Sequence, residues 1–133
     1  MFVEVRSNGF SGLSSAYFGE AELADFSKKL AGTYPFPPGS SLDIEGGFWS
    51  KSGGHIEQGH VCLRFYPVGV TGRFGCRVLL NSPIHQHDRP AAQSSVAVEL
   101  HTTYEQLGAF GRTLEMVVAG SADEAVLETL GPA

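Results

Sequence analysis

HVCLRFYP (residues 60–67) and FGCRVLL (74–80), joined through VGVTGR (68–73), read as the two strands of one antiparallel hairpin. Each alternates apolar and other side chains, so a register is needed to say which face is buried. Pairing Val61, Leu63 and Phe65 with Leu80, Val78 and Cys76 puts six apolar side chains on one face. The opposite face then carries His60, Cys62, Arg64 and Tyr66 across from Asn81, Leu79, Arg77 and Gly75. In this register the two cysteines point to opposite faces, which excludes a disulfide between them.

Upstream, FVEV (2–5) sets Val3 and Val5 on one side of a strand, and SNG at 7–9 is a turn leading into a second strand over about 10–18. EAELADFSKKLAG (20–32) predicts a helix, with Leu23, Phe26 and Leu30 on one stripe. Its acids come first and Lys28 and Lys29 last, matching the helix dipole, and Gly32 marks the stop. TYPFPPGS (33–40) cannot continue a helix and is expected to cross the surface. SLDIEG (41–46) reads as a short strand, followed by GGFWSKSGG (46–54) as a loop or hairpin tip.

Downstream, SVAVELH (95–101) turns Val96, Val98 and Leu100 inward and Glu99 and His101 outward. Thr103 and Gln106 form a capping box for a second helix whose stripe is Leu107, Phe110 and Leu114. Ser121 and Glu124 suggest a cap for a last short helix. The expected fold is α+β, an antiparallel sheet of five to six strands with two helices on one face, in the order ββαββββα. Residues 1–133 make a single domain with an acidic C-terminal tail from about 117. No third layer is available for the other sheet face, which makes that face the expected contact surface. Its leading residues are Arg64, Tyr66, Arg77 and His101, with Trp49 as a further recognition aromatic.

Composition narrows the function classes. The chain is 42% hydrophobic and 17% charged, as in globular domains. Its formal charge is −5, and no basic residue follows Arg112, while Glu115, Asp123, Glu124 and Glu128 do. The rest is nearly neutral, so no basic footprint for nucleic acid is present. No apolar run reaches the ~20 residues of a membrane span, and MFVEVRSNG lacks the pattern of a signal peptide. A cytoplasmic location without membrane attachment is expected.

The loop NSPIHQHDRP (81–90) is the stretch most suggestive of chemistry. His60, Cys62, His85 and His87 together are ligand types for a tetrahedral zinc site. Yet Pro83 and Pro90 bracket a turn, and no second acid stands near to orient the imidazoles, so neither metal nor cofactor is expected. There is no nucleophile elbow or catalytic cysteine signature, and His87 beside Asp88 in sequence does not aim one at the other. WSKS (49–52) is not a phosphate loop, because Ser50 stands where glycine must precede the lysine. Arg64 and Arg77 face each other across the hairpin and need an anion, which Glu99 or Glu4 is placed to supply.

The strand pair, the L-x-x-F-x-x-x-L helix, the strand GHVCLRF and the second strand–helix unit, running from VEV to TLEM, resemble the small bacterial WapI-type immunity proteins and their relatives. That resemblance implies a cytoplasmic antitoxin that binds and blocks a bacterial toxin, with no catalytic residue to carry over. The expectation is a non-catalytic binding protein, acting on a protein partner or on its own copy through the open sheet face. The alternative is a small-molecule-binding protein or minor enzyme with a pocket near Trp49, His85 and His87.

Overall fold

A computed structural model describes residues 1–32, 37, 39–69, 72–85 and 87–130. Its elements are β1 (Phe2–Ser7), β2 (Phe10–Ser15), α1 (Glu20–Gly32), β3 (Leu42–Trp49), β4 (Ile56–Val68), β5 (Arg73–Asn81), β6 (Ser95–Thr103) and α2 (Tyr104–Val118). The element order is the expected one and the class is α+β. The crossing assigned to TYPFPPGS lies largely outside the described residues, since 33–36 and 38 are not among them.

The six strands do not form one sheet. β3, β4, β5 and β6 make a four-stranded antiparallel meander, while β1 and β2 form a separate two-stranded hairpin. The turn of that hairpin is Asn8–Gly9, both at positive φ (51° and 82°), as a two-residue connection requires. The hairpin does not extend the large sheet because it lies on it. A Cβ at Gly12 would stand 2.3 Å from Val96 Cγ1, a close approach only glycine permits. Ser14 Oγ donates to the Asn81 carbonyl at 2.6 Å, and a single bridge, Tyr17 to Gly47, ties the hairpin's exit to β3.

The hairpin and both helices therefore share one layer against the inner face of the sheet. From α1, Phe26 and Leu30 are buried; from α2, Leu107 and Leu114. Phe26 and Phe65 pack ring to ring at 5.8 Å. The helices touch at Gly111, where a Cβ would lie 2.5 Å from the Ala31 backbone nitrogen. Lys29 pairs with Asp25 one turn back at 2.9 Å. Thr103 Oγ1 caps α2 by accepting from the Gln106 N–H at 3.3 Å. Among the described residues no helix follows α2: Ser121 Oγ donates to the Met116 carbonyl, and 122–130 has no regular secondary structure. That segment is docked rather than loose. Ala125 and Leu127 pack on the core, Thr102 Oγ1 donates to the Glu128 carbonyl at 2.8 Å, and the Leu130 N–H donates to the His101 carbonyl at 2.8 Å.

The β4–β5 register is the expected one, with Val61 opposite Leu80, Leu63 opposite Val78 and Phe65 opposite Cys76. The β3–β4 pairing is irregular. Gly46 opposes Val61 and Gly47 opposes Gly59, leaving His60 unpaired; Phe48 then opposes Gln58 and Trp49 opposes Ile56, leaving Glu57 unpaired. Each skipped residue is a β-bulge, and each reverses the in–out alternation of β4.

Candidate functional site: the outer face of the four-stranded sheet

His60 does not belong to the outer face. The first bulge turns it inward, where it is 1% exposed and packs edge-on against Phe48 with centroids 4.4 Å apart. Its Nε2 lies 2.6 Å from Gln58 Oε1. Burial holds its pKa below the ordinary histidine value, and a hydrogen bond to the Ser15 backbone works against that shift. Gln58 also grips the next loop, donating to the Ile84 carbonyl and accepting from the Ile84 N–H, each at 3.0 Å.

That grip explains NSPIHQHDRP. Asp88 Oδ2 accepts from the His85 N–H at 2.7 Å and the Asp88 N–H donates to the His85 carbonyl at 2.9 Å, so the aspartate closes a turn. The His85 ring lies 6.3 Å from Phe48, and His87 is exposed. His60 is inside while Cys62 is outside, so the four residue types that suggest zinc are not brought together. Among the described residues, no three His, Cys, Asp or Glu side chains are grouped to hold a metal.

With His60 removed, the outer face consists of Asp43 and Glu45 on β3, Cys62, Arg64 and Tyr66 on β4, Arg77 and Leu79 on β5, and Glu99 and His101 on β6. Two polar sets hold it. On the β3 side, Arg64 Nε donates to Asp43 Oδ1 at 3.2 Å. Glu4, by contrast, is on the small hairpin and pairs with Arg6 at 3.3 Å. On the β6 side, the Tyr66 hydroxyl donates to Glu99 Oε1, and His101 Nε2 lies 3.3 Å from Glu99 Oε2. Arg77 opposes Arg64 on one side and Glu99 on the other. Among the described residues its guanidinium makes no hydrogen bond or ion pair. Glu99 is thus the anion beside Arg77, and Asp43, unnoticed in the sequence, is the anion of Arg64.

These contacts set the charge states. The Tyr66 hydrogen bond, with His101 and Arg77 adding to it, holds the Glu99 carboxyl below its usual range against a smaller effect of burial. Burial first, and then the bond to Glu99, push the Tyr66 phenol up to about 12. Burial and the neighbouring Glu45 raise the Cys62 thiol, which leaves little thiolate near neutral pH.

Trp49 borders the face at its β3 edge. Its Nε1 donates to the Tyr17 carbonyl at 2.7 Å, fixing the ring at one wall of an open trough of about 640 Å³. Glu22, Glu45, Cys62 and Arg64 line the same trough, whereas His85 and His87 do not. Trp49 therefore joins Arg64 and the sheet face, and the grouping of Trp49 with the loop histidines is not found. Among the described residues no helix is long and apolar enough to cross a membrane. No protein family, curated protein or solved structure matches this chain.

Proposed function

We propose that this protein is a non-catalytic binding module that docks a protein partner on the outer face of its four-stranded sheet. The observation that carries this reading is that face itself. Among the described residues the helices and the small hairpin lie on the inner side, and the outer side holds Tyr66 and Arg77 among charges already fixed in place. Tyrosine and arginine combine contact area with directional hydrogen bonds and dominate binding hot spots. Fixing Tyr66 on Glu99 before contact reduces the ordering cost of association. Arg77, which has no ion pair among the described residues, is the group left to meet a partner's carboxylate. An immunity-type inhibitor of a bacterial toxin is the particular form of this function that the sequence resemblance suggests. A toxin gene beside this one would name the partner to use.

The test is titration calorimetry with that partner, and sedimentation of the protein alone for self-association. Tyr66→Ala is expected to weaken binding by about 2 kcal/mol with the fold intact. Arg77→Glu is expected to weaken it with a marked dependence on salt. Unchanged affinity in both folded variants would remove the outer face from consideration.

A further inference from the structure

We propose that the crevice between β1, the two helices and the docked C-terminal segment is a binding site for a single-chain amphiphile with a cationic head, of the class of medium-chain alkylamines. The crevice has a volume of about 470 Å³, inside the ~300–1,000 Å³ range of small-molecule sites. Protein interiors close up to crystal-like density, with few voids larger than a water molecule. An apolar void of this size forfeits dispersion contacts along its whole lining, which an apolar guest restores. Its deep walls are Leu63, Val78 and Leu100 from the sheet, Phe26 from α1, and Phe110 and Leu114 from α2. Such a lining selects an aliphatic chain.

The rim selects the head. It carries Glu4, Arg6, Asp123 and Glu124. Arg6 is taken up by Glu4 at 3.3 Å. Asp123 and Glu124 are exposed and, among the described residues, have no ion-pair partner. Val117, from the last turn of α2, borders the crevice too, so the negative end of that helix's dipole adds to the same field. Among the described residues β1 pairs only with β2, and its other edge also contributes. Met1 and Ala16 exchange both backbone hydrogen bonds across the hairpin. By strand alternation the carbonyls of Phe2, Glu4 and Arg6 then point away from β2 and are available to an ammonium N–H. Three carboxylates to one guanidinium, with free carbonyls alongside, favour a cation over an anion or a neutral head.

The experiment is titration calorimetry of the full chain with decylamine, decanol and decanoate, each below its aggregation concentration. The expected result is saturable one-to-one binding of decylamine, about tenfold tighter than decanol, with decanoate weaker still. In an Asp123→Asn/Glu124→Gln variant the advantage of decylamine over decanol should disappear. Leu100→Trp, which fills the crevice, should abolish binding of all three. Methyl NMR of the unaltered protein gives a readout that needs no variant: decylamine should shift Leu63, Leu100 and Leu114 and leave Leu79 on the outer face unmoved. Absent binding, equal binding of decylamine and decanoate, or shifts centred on Leu79 would each overturn the proposal, as would a dimer in sedimentation that buries this crevice. Absent binding, or equal binding of decylamine and decanoate, would leave partner docking at the outer face untouched.

Discussion

The two faces of the four-stranded sheet are held by different physics. The inner face is closed by burial: Val61, Phe65, Cys76, Val78 and Leu80 are each less than 5% exposed. The outer face is held by Arg64 with Asp43 and by Tyr66, Glu99 and His101, all in contact with solvent. Burial of this kind is worth several kcal/mol per large side chain, whereas exposed ion pairs contribute about 0–1 kcal/mol. The inner face is therefore where stability resides. The outer face can exchange its partners at little cost, which suits the docking role proposed for it.

The largest expected effect tests the energetic side of that contrast. Phe26→Ala should cost about 3–5 kcal/mol in urea unfolding, as loss of a buried aromatic does, while the outer-face change Asp43→Asn should cost under about 1 kcal/mol. Phe110→Ala, at a half-buried position bordering the crevice, should fall between them. Similar costs for Phe26→Ala and Asp43→Asn would erase the distinction between the faces.

A smaller effect concerns His60, the one imidazole drawn to the inner side. Its folded pKa lies below the unfolded value of 6.5, so the unfolded chain takes up the proton first as pH falls. The stabilisation is complete above pH 6.5 and declines as the solution is acidified toward the folded pKa. Melting curves from pH 7.5 to pH 5 should show that decline, and His60→Gln should flatten it. A variant with the same acid-side slope as the parent would assign the titration to another group.

The smallest effect sharpens the outer face alone. Absorbance titration at alkaline pH should resolve one tyrosine ionising near 12, and Glu99→Gln should move it down toward the ordinary phenol value of 10. Burial is the larger cause, so the midpoint should remain above 10. No movement at all would mean that Glu99 does not hold the phenol in solution.

Much of this arrangement is legible in the sequence. The alternation through Val61, Leu63 and Phe65 admits one buried pairing with Cys76, Val78 and Leu80, and both helices follow from their apolar stripes. Arg64, Tyr66, Arg77 and His101 reach the expected face for the same reason, whereas Trp49, read as part of a loop, ends β3 at the border of that face. What was not legible depends on contacts distant in sequence. Whether β2 joins the edge of a sheet or lies over it depends on Gly12 meeting Val96, and no local pattern records that meeting. The docking of 122–130 rests on Thr102 and His101 receiving a segment that looks like a solvated acidic tail. The inward turn of His60 did leave a trace. Gly46, Gly47 and Gly59 interrupt two strands, and a Cβ at Gly47 would stand 1.9 Å from the Gln58 carbonyl oxygen. Glycines inside strands mark bulges or close backbone approach.

The paired bulges of β4 behave as two parity switches in series. The first, at His60, inverts the facing of the chain, and the second, at Glu57, restores it. Between them lies a short inverted window in which Gln58 and His60 look inward, while Ile56 on one side and Cys62 on the other look outward. Deleting one skipped residue would remove its bulge and one chain position together, so Ile56 would stay opposite Trp49 on the outer side. Deleting both would give a regular ladder with the face containing Ile56, Cys62 and Arg64 intact. Gln58, opposite Phe48, would still point inward and hold Ile84, and only the His60 ring would be lost from the inner side. A strand can thus change which side its residues serve over a few positions and then resume, and here the window between the bulges holds the glutamine that fastens Ile84.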